Sequence, residues 1–182
     1  MREGTKNKTP EELEDAIGLL GASISISSGT ENITINVSSL SKHFEATVDL
    51  VKEILLEPRW DEEQFALAKE RTINSIKRNK SDASSLASEA MNKLLFNKDN
   101  ILSFMPSGTV ETVEGIVIDD LKDYYDSFIT PSTANFIIAG NIDQKRVEKA
   151  LSGLVSSWPG KKVVIPASEG AIEPEKSALY FV

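Results

Sequence analysis

Few residues in this chain have the type and spacing for chemistry. The segment "KERTINSIKRNK", Lys69 to Lys80, has helical character and places Glu70, Ile73, Asn74 and Lys77 on one face. A carboxylate and an ammonium two turns apart are the only charged groups on that face. For Lys77 alone, an ordinary solvated position is the simplest role. Histidine is the commonest general base and zinc ligand, and the chain has a single one, His43. It precedes Phe44 in the first turn of an expected helix, with Thr47 at i+4, so it reads as a solvated or capping imidazole. A catalytic zinc needs three protein ligands, usually nitrogen-rich, and none can be assembled locally around it. No serine lies in Gly-x-Ser-x-Gly, and no base is spaced to activate one. Gly108 and Gly140 stand alone, outside any glycine-rich phosphate cradle, and read as turn residues. The acid pairs Glu62-Glu63 and Asp119-Asp120 sit at helix starts, where they complement the dipole.

The elements that must carry these residues can be read in order. Thr9, Pro10 and Glu12 form a capping box with proline at the first helical position, and Leu13, Ile17 and Leu20 follow at helical spacing. A helix from about Pro10 to Leu20 results, stopped by Gly21. "ASISIS" and "NITINV" then alternate apolar with polar around "SGTEN", which predicts a hairpin with Ala22, Ile24, Ile26, Ile33, Ile35 and Val37 facing inward. Such alternation also leaves a strand, Ser23, Ile24, Ser25, Ile26 and Ser27, whose exposed edge could accept an extended peptide.

Ser41 is placed to cap the next helix, which presents Phe44, Val48, Val51 and Leu55 and ends before Pro58. Asp61 caps a long helix through about Asn79. Further helices are predicted from about Ser84 to Phe96 and from about Ile118 to Phe128. "ANFIIAGNI" is predicted to be a buried strand, and Asp143 caps a last helix closing at "SSWPGK". This order gives an α+β fold, helices layered on an antiparallel-leaning sheet. Residues 1–160 form one unit; 161–182 reads as a linker ending in "SALYFV", the first strand of a following unit cut short.

At 182 residues the chain can bury roughly two thirds of the surface its unfolded form exposes. Its 40% hydrophobic and 26% charged residues are those of an ordinary globular domain. A net charge of −8, with only Lys77-Arg78-Asn79-Lys80 as a basic cluster, argues against nucleic acid. The absence of cysteine excludes disulfides, thiolate metal sites and thiol nucleophiles while leaving the compartment open. The longest apolar runs, "NFIIAG" and "GIVI", are far short of a membrane-spanning helix. "MREGTKNKTP" lacks the apolar core of a signal peptide.

Taken together, "GTKNKTPEELEDAIGLLGASISISSGTENITINVSSL", "ATVDLVKEILLEPRWDEEQFALAKER", "PSGTVETVEGIVIDDLKDYYDSFITPSTANFIIAGNID" and "LYFV" resemble the insulinase/pitrilysin family of zinc metallopeptidases, which includes the mitochondrial processing peptidase subunits. The likeness runs from Gly4 to Val182. It implies paired halves, each of two similar α+β units, enclosing a chamber that cleaves peptides. In the catalytic half, His-x-x-Glu-His is followed four residues later by Gly-Thr, and a glutamate seven residues beyond that of a Glu-Arg pair completes the zinc site. An open coordination position then holds water, and the remaining glutamate takes its proton.

Gly4-Thr5 matches the Gly-Thr, so the second histidine falls ahead of Met1. Glu70-Arg71 matches the Glu-Arg pair, which puts Lys77 at the ligand position. An ammonium has no lone pair for a metal. The resemblance therefore implies a non-catalytic, chamber-forming and partner-packing half without zinc in this chain, the metal and hydrolysis belonging to a catalytic half in the same chain or a partner subunit. An alternative is a core or scaffold subunit of a complex without proteolysis. Non-catalytic halves often grip substrate with an arginine and a tyrosine near "KLLFNKDNILSFMPSGT". That stretch holds Lys93, Phe96 and Phe104 and neither of those types, so the likeness does not extend to the clamp. Phe96 and Phe104 read as packing residues. The setting implied is bacterial, periplasmic or cytoplasmic.

Overall fold

The computed structural model describes residues 3–29, 31–96 and 100–164. They fall into two compact units, each taken here by itself: the first is drawn from the N-terminal third and Asp119–Val163, the second centres on Glu62–Ile118. The architecture is α+β.

The first unit opens with helix α1, Pro10–Leu19. The Thr9 hydroxyl accepts from the Glu12 amide and the Glu12 carboxylate from the Thr9 amide, so two orphan donors of the first turn are satisfied reciprocally. Gly21, in the left-handed region at φ +57°, reverses the chain into strand β1, Ser23–Ser28, which pairs antiparallel with β2, Ile33–Ser38. Ile24 stands opposite Val37 and Ile26 opposite Ile35, so the expected apolar face exists. Only its middle is covered. Ile24 is buried with Leu13, Ile17, Leu50 and Ile54, and Ala22, Ile26 and Ile35 pack against them, whereas Ile33 and Val37 are exposed. The sheet has two strands among the described residues.

Helix α2, Phe44–Leu56, is entered differently from expectation. A 3-10 turn at Ser41–His43 leads into it, and neither Leu40 nor His43 supplies a side-chain cap. Instead the Thr47 hydroxyl donates to the His43 carbonyl at 2.9 Å. Helix α6, Ile118–Phe128, is tied to α2 by the Tyr125 hydroxyl, which donates to the Leu55 carbonyl; Tyr125 also meets Trp60 edge-on at 5.5 Å between ring centroids.

Helix α7, Gln144–Ser157, is capped by Asp143 and packs on α2. Across that contact Arg146 makes a bidentate pair with Glu45, both bonds 2.7 Å, and donates to the Ser41 carbonyl. A second apolar cluster, Leu55, Leu154 and Trp158, gathers Ile35, Leu56, Ile129, Ala134 and Leu151. The Trp158 indole donates to the Ile129 carbonyl, and Thr130 and Ser132 donate to the Lys161 carbonyl, so the chain leaving α7 is strapped to the loop after α6.

Between α6 and α7 lies the expected buried strand, and here the outcome differs. Ala134 is packed into the second cluster, but beyond it Phe136 is 43%, Ile137 94% and Ile138 41% exposed, and the segment joins no ladder. A strand needs a hydrogen-bonded neighbour, and none flanks this one among the described residues.

The second unit contains α3, Glu62–Asn79, α4, Ala83–Leu95, and a short α5, Val110–Gly115, which the spacing of apolar residues does not announce. Asp82 caps α4 by accepting from the Ser85 amide at 2.7 Å. Thr109 and Thr112 form a capping box at α5. α3 packs on α5 and buries Ile76, while Val113 is buried on α5. Lys69 donates to the Glu114 and Ile116 carbonyls at 2.7 and 2.9 Å, satisfying acceptors at the end of α5 and complementing its dipole. No helix among the described residues is long and apolar enough to cross a membrane. Of the expected linker 161–182, residues 165–182 lie outside those described, the terminal "SALYFV" with them.

Candidate functional site

The sequence directs attention first to α3. Its charges were placed by helical spacing, and the helix is continuous from Glu62 to Asn79, so Glu70, Asn74 and Lys77 do share a face. All three are exposed and Ile73 between them is half-buried. Neither Glu70 nor Lys77 forms an ion pair or side-chain hydrogen bond among the described residues. A zinc ion does not fit this donor set. Lys77 offers an ammonium with no lone pair for a metal, and the described residues contain no group of three histidine, cysteine, aspartate or glutamate side chains that could hold one.

The Gly4-Thr5 pair is better built than its sequence suggests. Gly4 lies at φ +98°, and a Cβ there would stand 2.6 Å from the Lys8 carbonyl oxygen, so only glycine fits. Thr5 is wholly buried. Its hydroxyl donates to Glu53 Oε1 at 2.5 Å and accepts from the amides of Asn7 and Lys8. Lys8 Nζ reaches Glu53 Oε2 at 2.6 Å, the Lys6 amide donates to the Glu57 carbonyl and the Arg59 amide to the Gly4 carbonyl. The turn is thus clamped to the end of α2. Partial burial pushes the Glu53 carboxyl up, but the hydrogen bonds from Lys8 and Thr5 outweigh it and hold the group below its ordinary range. Sequence reasoning missed Glu53, because 48 residues separate it from Thr5 and no local spacing links them.

The remaining candidates are scattered. His43 sits half-buried at the start of α2 with its carbonyl, not its imidazole, engaged by Thr47. Ser23, Ser25 and Ser27 of β1 are exposed, Ile24 is buried and Ile26 half-buried, and β2 occupies one edge of that strand. Lys93 pairs with Glu89 one turn away at 2.5 Å. Phe96 is half-buried and Phe104 exposed. None of these sits in an enclosed cavity. An open groove runs along α7, lined by Glu148, Leu151, Ser152, Val155 and Ser156.

A helix–hairpin–helix frame, a clamped Gly-Thr turn and an exposed Glu-Arg helix are what comparison with known proteins must account for. The family model of the insulinase group (peptidase family M16) matches residues 1–103, more than half of the chain. The chain belongs to the insulinase family. Residues 115–181 match the model of the peptidase M16 inactive domain.

Among curated insulinase relatives, the non-peptidase homolog YmxG of Helicobacter pylori is 22% identical over 99% of this chain and 42% of its own length. The uncharacterized zinc protease YmxG of Bacillus subtilis is 20% identical over 94% of the chain and 41% of its own length. Among solved structures, the peptidase M16 inactive domain from Pseudomonas fluorescens superposes with a TM-score of 0.80 at 18% identity, covering 93% of this chain and 42% of that one. Pitrilysin superposes at 0.70 and 15% identity, over 92% of this chain and 19% of its own. At these identities the superpositions establish the fold. The chain spans about two fifths of the length of the curated relatives it matches.

Proposed function

We propose that this chain is a non-catalytic unit of an insulinase-like zinc-dependent peptidase, forming chamber wall and packing against a catalytic half in the same polypeptide or a partner subunit. Zinc and hydrolysis belong to that catalytic half. What supports this reading is Lys77, an exposed ammonium on an intact helix, which the resemblance of Glu70-Arg71 to the family's Glu-Arg pair puts at the third-ligand position. The match of residues 115–181 to the inactive-domain model supports it. In the same reading residues 1–160 form one α+β unit and 161–182 leads into the next, and the free edge of Ser23–Ser27 is the place where an extended peptide would add as a strand.

The similarity to the non-peptidase homolog YmxG of H. pylori favours a second reading: a core or scaffold subunit of an assembly without proteolysis. A hydrolysis assay with a quenched peptide library and added Zn²⁺ separates these readings from catalysis by the chain itself. The isolated chain is expected to cleave nothing, and turnover abolished by Glu70→Gln would overturn both. Turnover that appears only when a His-x-x-Glu-His half is supplied selects the peptidase over the scaffold.

A further inference from the structure

Helix α7 ends at Ser157, and Trp158, Pro159, Gly160 and Lys161 follow without regular secondary structure. Proline beside glycine and then two lysines is the composition of a swivelling linker. The contacts are those of a fixed segment. Trp158 is 9% exposed, and its indole donates to the Ile129 carbonyl at 3.1 Å. Thr130, 2% exposed, holds both backbone groups of Lys161 with one hydroxyl, which accepts from the Lys161 amide at 2.9 Å and donates to the Lys161 carbonyl at 3.3 Å. It does for that residue what a neighbouring strand does in a ladder. Ser132 donates to the same carbonyl, and Lys161 Nζ donates to the Asp126 carbonyl, one of the acceptors left over at the end of α6. There the fastening stops. Lys162 is exposed, and neither Lys162 nor Val163 makes a hydrogen bond among the described residues.

We infer that Thr130 is a clasp that fixes the course of the chain through Lys161, so that the first point at which the chain turns freely after α7 is Lys162 and not Trp158. Moving that point back requires the Thr130 pair, the Ser132 bond and the lysine's hold on α6 to break together, because all of them converge on one residue. The first unit itself therefore sets the direction in which the chain leaves it. The inference concerns residues of this chain alone and stands whether the chain serves a peptidase or a scaffold.

Amide hydrogen exchange read by NMR on the 182-residue chain tests it. The Lys161 amide is expected to exchange at least about 10-fold more slowly than those of Lys162 and Val163. Thr130→Val, which keeps the shape and removes the hydroxyl, is expected to bring Lys161 to the rate of its neighbours, whereas Thr130→Ser retains the protection. Trypsin reads the same opening, since a protease cuts only the segment that has come free. Nicking after Lys161 and Lys162 is expected to be about 10-fold faster in Thr130→Val than in the parent or in Thr130→Ser. Amides of Leu50 and Ile54 in α2 report whether each variant keeps its fold, and if Thr130→Val does not, the comparison of Lys161 with Lys162 in the parent decides alone. Lys161 exchanging as fast as Lys162 in the parent overturns the inference. Protection and nicking unchanged in a folded Thr130→Val overturn it equally.

Discussion

Thr5 is buried without a charge of its own, yet it organises the turn: its hydroxyl fixes one Glu53 oxygen while Lys8 takes the other, and its lone pairs receive the Asn7 and Lys8 amides. Thr5→Val keeps the shape and removes the three bonds of the Thr5 hydroxyl. A loss of about 1–3 kcal/mol is expected from leaving buried partners unsatisfied, measured by urea denaturation. Gly4→Ala forces a side chain into a left-handed backbone and against a carbonyl oxygen, and is expected to destabilise by a comparable ~1–3 kcal/mol. The same cluster sets an acid response. Glu53 titrates below its ordinary value in the folded chain, so its contribution is present above that ordinary value and is lost as pH falls through the lower, folded one. Glu45 behaves alike: hydrogen bonding from Arg146 holds it at about 2, so the bridge between α2 and α7 weakens only between the ordinary carboxylate range and that pH. Thermal melts from pH 6 down to 2 are expected to show stability falling below about pH 4.5, with a smaller fall in Glu53→Gln.

Helices were the most legible elements, for a local reason. Capping side chains, proline at the first turn and apolar spacing all act within a few residues, and they place α1, α3, α6 and α7 within a residue of where they lie. Asp143 illustrates the strength of that signal: it accepts from two amides of the first turn, and Asp143→Ala is expected to cost about 1 kcal/mol in chemical denaturation. Ser41 carried the same signal and does not cap, since the chain tightens there into a 3-10 turn and Arg146 takes the Ser41 carbonyl. The hairpin's face was legible from its alternation, but how far that face would be covered was not, because coverage depends on helices remote in sequence. The segment "NFIIAG" shows the same limit more sharply. Its composition specifies a strand, and only a partner outside the segment can make it one.

For the molecule as a whole, the α2–α7 contact holds the first unit together through Leu154, 2% exposed between them, and Leu154→Ala is expected to destabilise by about 2–5 kcal/mol. Of the candidate site, the helix face and its charges were legible in the sequence, since seven residues of continuous helix fix them. The Glu53 clamp was not, because it joins positions brought together only by the fold. The chain belongs to the insulinase family, and in the proposed reading Lys77 on that face stands where the family's third zinc ligand would be. Zinc titration of the purified chain by calorimetry, followed by metal analysis after dialysis, bears on that claim most directly. No saturable site and no retained zinc are expected, in the parent chain and in Glu70→Gln alike. One tightly held zinc per chain, abolished by Glu70→Gln, would contradict the assignment.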